Sequence, residues 1–114
     1  MGINIKGEIP AEVLETILSR IKTISFGEIV LIAQDSVLVQ VEFVERLRVV
    51  RSARESRETA PLLEQSLTAV SDYIRKEFFR LCYGRLTVFI KGGKVVQIER
   101  AEKQRFLGLN GEGI

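Results

Sequence analysis

Apolar residues recur three or four positions apart in two stretches of the chain, at Val13, Ile17, Ile21 and Ile24 and again at Val70, Ile74, Phe78 and Leu81. That spacing lays one apolar stripe along an amphipathic helix. Pro10 suits a first helical turn, Glu12 and Glu15 the N-terminal end, and Arg20 and Lys22 the C-terminal end, as the helix dipole prefers. The pattern predicts one helix over 10–23 and a second, longer one from the region of Thr59 to Pro61 through Leu81. An aromatic residue and a glycine follow each stripe, Phe26-Gly27 and Tyr83-Gly84, and the glycines are read as closing the helices with positive φ. The period then changes. Runs rich in Val, Ile, Leu and Phe occupy 28–34, 37–44, 85–91 and 94–100, split in pairs by Asp35-Ser36 and Gly92-Gly93. Two-residue turn signals between such runs predict hairpins.

The two stretches are copies of each other. Phe26 to Arg48 aligns without gaps on Tyr83 to Arg105 at an offset of 57, with six of 23 positions identical: Gly27, Val39, Gln40, Glu42, Glu45 and Arg48 match Gly84, Val96, Gln97, Glu99, Glu102 and Arg105. Chance agreement at ordinary composition is about one or two. The predicted fold is therefore α+β, a tandem α-β-β repeat forming a four-stranded antiparallel sheet with two helices on one face. Residues 9–48 and 59–105 are the two units, 49–58 a charged joint and 106–114 a glycine-containing tail, all within a single domain 1–114. Units of about 50 residues are marginal alone, so the two are expected to share one core.

The second copy, with Tyr83-Gly84, Gly92-Gly93-Lys94-Val95-Val96-Gln97-Ile98-Glu99 and Glu102-Lys103-Gln104-Arg105, resembles the YezD-like small bacterial proteins. The first copy keeps Phe26-Gly27, Gln40-Val41-Glu42 and Glu45-Arg46-Leu47-Arg48 but has Asp35-Ser36 where that pattern has glycine. The resemblance implies the fold and a family of unknown function. It also implies that the two copies here are a fused pair standing in for a dimer of single units.

Composition narrows the chemistry. The chain has no histidine and a single cysteine, Cys82, which leaves Ser-His-Asp and Cys-His catalysis and a structural zinc site without their residues. Cys82 is expected to pack inertly at a helix end. Seventeen basic residues against 15 acidic ones give a net charge of +2, with eight of each in 1–57 and nine against seven in 58–114. That balance is not the footprint of a strong nucleic-acid binder. The chain carries no apolar run of membrane-spanning length, and Met1 to Lys6 lack the features of a signal peptide, so the expected location is the cytosol.

Uninterrupted pairing from each two-residue turn sorts the strands into two faces. Ile29, Leu31, Ala33, Leu38, Gln40 and Glu42, with Leu86, Val88, Ile90, Val95, Gln97 and Glu99, form the face expected under the helices. The other face holds Val30, Ile32, Val39, Val41, Phe43, Phe89, Val96 and Ile98, an apolar set for which a partner is expected. The function expected is a non-enzymatic interaction module without a cofactor, a homodimer through that face that also engages an unidentified protein partner. The alternative is nucleic-acid binding through Arg48, Arg51, Arg54, Arg85, Phe89, Lys91, Lys94 and Arg100. Glu45, Glu55 and Glu58 interrupt that basic set, which favours a solvated, self-compensating surface. The recurring Gln40-Glu42 and Gln97-Glu99 suggest paired carboxylates for acid-base or metal chemistry, but the repeat alone accounts for their recurrence, and they are expected toward strand ends against helix ends or water.

Overall fold

The computed structural model describes residues 5–47, 49 and 66–104. Within them the chain runs α1 (Ala11–Thr23), β1 (Phe26–Gln34), β2 (Val37–Glu45), α2 (Leu67–Phe79), β3 (Gly84–Lys91) and β4 (Lys94–Glu102). It is the α+β tandem repeat that the two periodicities predict. The joint beyond Val49, residues 59–65 and 105 of the second unit, and the tail from 106 onward lie outside the described residues.

Pro10 caps α1, its carbonyl accepting from the Val13 and Leu14 amides, and Ile24 ends the helix in an extended conformation. Ser66 caps α2: its hydroxyl accepts from the Ala69 amide at 3.1 Å, which satisfies one of the donors a helix start leaves open. This cap starts α2 at Leu67 rather than near Thr59 to Pro61. Both helices are therefore 13 residues long, and the second is not the longer.

The four strands form one antiparallel sheet in the order β2-β1-β3-β4. β1 and β3 meet in the centre with Val30 opposite Thr87. These two residues are themselves equivalents under the 57-residue offset, so a pseudo-two-fold axis passes between them and relates the repeats. Correspondence extends to single bonds: the Arg46 amide donates to the Phe26 carbonyl and the Lys103 amide to that of Tyr83, both at 2.8 Å.

Both turns hold two residues with positive φ, 57° and 66° at Asp35 and Ser36, 62° and 75° at Gly92 and Gly93. The aromatic-glycine pairs are not helix caps. Gly27 and Gly84 lie in the strands, where a Cβ would run into the carbonyl oxygens of Val44 and Ala101 and come within 2.9 Å of the next α-carbon. Close approach of the edge strand is what requires glycine there.

The core lies on one side of the sheet. Ile17, Ile21 and Ile24 from the first repeat and Ile74, Phe78 and Leu81 from the second pack with Ile29, Leu31, Ala33, Leu38, Leu86, Val88 and Ile90 into a single buried cluster. Every residue of both predicted helical stripes reaches it, Val13 and Val70 at its margin. Among the described residues no helix is long and apolar enough to cross a membrane.

Candidate functional site: the open face of the sheet

Pairing is not uninterrupted. Ala33 faces Leu38, but Ile32 faces Gln40, and likewise Ile90 faces Val95 while Phe89 faces Gln97. Val39 and Val96 are the extra residues of two equivalent β-bulges. A one-residue slip moves every later side chain to the opposite face. Val41 and Phe43, and Ile98 in the second repeat, therefore pack against the core under the helices and do not line the open face expected of them. Gln40, Glu42, Gln97 and Glu99 cross the other way. A signal for this exists in the sequence. The turn places Leu38 inward, yet from 39 to 43 the apolar residues are odd-numbered (Val39, Val41, Phe43) and the polar ones even-numbered (Gln40, Glu42), a conflict that a bulge resolves.

The face opposite the helices is built in cross-strand rows. Glu42, Val30, Thr87 and Glu99 form the central row. Val44, Glu28, Phe89 and Gln97 flank it on one side, and Gln40, Ile32, Arg85 and Ala101 on the other. All of them except Gln40 and Gln97 line a shallow depression of about 400 Å³. Val30 is only 8% exposed, shielded by its long neighbours, while Ile32, Val44 and Phe89 are half-buried. Val39 and Val96, beside the turns, are 49% and 59% exposed. Of the apolar set expected on this face, Val30, Ile32 and Phe89 lie on it, and alternation from Leu38 and Val95 places Val39 and Val96 there too.

Each repeat closes one glutamine-glutamate pair on this face. The Gln40 amide donates to Glu42 Oε2 at 2.7 Å, and the Gln97 amide to Glu99 Oε2 at 2.8 Å. Both pairs stand on the open face, not against helix ends. Glu42 and Glu99 sit on opposite edge strands, three spacings of ~4.8 Å or roughly 14 Å apart, too far to share a proton or an ion. Among the described residues no group of three or more acidic, cysteine or histidine side chains could hold a metal.

Arg46 Nη2 lies 3.3 Å from Glu28 Oε1, whereas the equivalent positions of the second repeat carry Lys103 and Arg85. Arg85 and Phe89 share the open face, and Lys91 pairs with Lys94 beside the second turn. Arg100 faces the other way and meets Glu77 of α2 at 3.6 Å, so it leaves the basic set proposed for nucleic acid. Arg48, Arg51 and Arg54 lie outside the described residues. Cys82 is exposed rather than packed away, with the Ser36 hydroxyl 3.4 Å from its sulfur.

A family model matches the chain twice, over residues 13–49 and 70–106. The chain belongs to the family described as uncharacterized small protein (DUF2292). Each match spans one helix and one hairpin, and the two are offset by the same 57 residues as the internal repeat, so a single DUF2292 unit is one α-β-β element and this chain holds two. No curated protein and no solved structure matches it.

Proposed function

We propose that this is a cytosolic, non-enzymatic protein-interaction module that homodimerises by stacking the open sheet face of one copy on that of another. The observation that carries the reading is that both helices cover the same side of the sheet, leaving Val30, Ile32, Val44 and Phe89 on a face with no layer over it among the described residues. A sheet with one solvated face is ordinary when that face is polar. Here the two central strands alternate apolar Val30, Ile32 and Phe89 with Glu28, Thr87 and Arg85, a mixed surface about as apolar as protein interfaces taken whole.

Four strands ~4.8 Å apart and eight residues of ~3.3 Å rise give roughly 500 Å² of flat face per copy. Two copies together reach about 1,000 Å², the lower limit for a specific interface. The dimer is accordingly weak and concentration-dependent. Light scattering after size exclusion across a concentration series tests it. Wild type should shift toward dimer as concentration rises, and Phe89→Glu should stay monomeric with unchanged circular dichroism. A wild type monomeric up to millimolar concentration, or a folded Phe89→Glu variant that dimerises like wild type, would overturn the reading.

The alternative is a nucleic-acid-binding module. Arg85 beside Phe89 on the open face favours it, since a basic group next to an aromatic ring suits a stacked base on a phosphate backbone. Glu28, Glu42 and Glu99 share that face and oppose it. Retention on a polyanion that falls steeply with salt, and falls further with Arg85→Ala, would favour this alternative.

A further inference from the structure

The seam between β1 and β3 is built like an interface between subunits. Neither repeat has a core of its own: Ile17, Ile21 and Leu31 of the first and Ile74, Phe78 and Leu86 of the second belong to one buried cluster. Along the seam the helix-side contacts are apolar from both directions, Ile29 opposite Val88 and Leu31 opposite Leu86. Each end of the seam is closed by a turn of one repeat docking on the other. The Ser36 amide donates to the Cys82 carbonyl at 2.9 Å, and the Gly92 amide to the Ser25 carbonyl at 2.6 Å. All these contacts are non-covalent, and the family unit matched in each half contains everything its side of the seam needs.

We infer that the seam is an assembly interface in its own right, one that accepts the corresponding repeat of a second copy of this chain. Exchange replaces each contact by an identical one, so it costs no interaction, and only the shared chain biases the pairing toward the repeat next door. The open face is completed by the same exchange. Val30 and Ile32 then come from one chain and Arg85, Thr87 and Phe89 from the other, so either product carries the whole depression.

The test uses the full chain with a protease site placed between Arg51 and Glu58 and cut while folded. The two fragments should co-elute at the size of the intact chain, and their melting temperature should rise with concentration, as for a two-chain assembly. Cut samples with and without ¹⁵N label, mixed and examined by native mass spectrometry, should yield species with one labelled and one unlabelled half. Fragments that separate or unfold on cutting, while the uncut variant with the same site remains folded, would overturn the inference, as would halves that stay assembled but never exchange after joint unfolding and refolding. Because this reads association of the halves within one chain length, it fails separately from stacking of whole copies through the open face.

Discussion

Arg20 on α1 and Phe43 on β2 occupy the same two positions in the first repeat that Glu77 on α2 and Arg100 on β4 occupy in the second. In the first, the guanidinium lies over the aromatic ring, 4.4 Å from its centre; in the second, the charges are opposite and meet as an ion pair at 3.6 Å. The backbone relation between helix and edge strand is held while the chemistry holding it changes. Other features recur unchanged in both repeats: the glycines facing the edge-strand carbonyls, the bulges, and the Gln-Glu pairs. What has been kept are the features that backbone geometry demands, and what has drifted are side-chain contacts for which several solutions exist.

Truncations in the core should probe this comparison most strongly. Ile21 and Phe78 are equivalents, both almost wholly buried in the shared cluster. Phe78→Ala should cost about 4 kcal/mol and Ile21→Ala about 3 kcal/mol, because truncation removes apolar burial and leaves a cavity, larger for the ring. Urea unfolding with a single transition in each case checks it. Two separate transitions would show that the repeats unfold as independent units, contrary to the one core described. The turns come next. Asp35 and Ser36 hold left-handed φ without being glycine, and the Gly7 amide bonds the Ser36 carbonyl at 2.6 Å, whereas the second turn is Gly-Gly. Ser36→Gly should stabilise by about 1 kcal/mol and Gly93→Ser should destabilise by a similar amount, since a side chain in that region is strained. Melting temperatures moving in opposite directions would bear this out, and a loss in both would mean that the Ser36 hydroxyl contact with Cys82 outweighs backbone strain. The smallest effects belong to the helix-to-edge contacts. Arg20→Ala and Arg100→Ala should each cost about 0.5 kcal/mol, but only the Arg100 loss should shrink as salt is raised, because the ion pair is screened and the stacked ring much less so. Equal salt responses in the two variants would erase the chemical distinction between the repeats.

The two helical stripes, both hairpin turns and the doubling of the unit were legible from residue spacing, because local periodicity and turn residues act over short stretches. The glycines were legible as special positions but not for the right cause. Gly27 and Gly84 answer to an edge-strand carbonyl that is distant in sequence, and no helix-capping rule reveals it. Composition alone does not locate the start of α2, because many residues upstream of Leu67 are compatible with helix, while the Ser66 cap is a single local bond. The open face was half legible. Strict pairing puts Val30, Ile32 and Phe89 on it, where the sheet has them, but also Val41, Phe43 and Ile98, which the bulges at Val39 and Val96 turn toward the core.

By itself the sequence determined the number and kind of elements, the symmetry between the repeats, and the residues able to form a core, since each of these depends on patterns within a few positions of the chain. Tertiary structure decided that β1 and β3 lie at the centre, and it resolved the conflicting pattern beyond Leu38 into a bulge in each edge strand, which sets which glutamates and which valines face outward. The physical reason is the period of two in a strand. With side chains alternating between faces, one extra residue exchanges the core and the surface for everything beyond it, and burying Val41, Phe43 and Ile98 while solvating Gln40, Glu42, Gln97 and Glu99 is a gain that only the assembled sheet and its two helices can register.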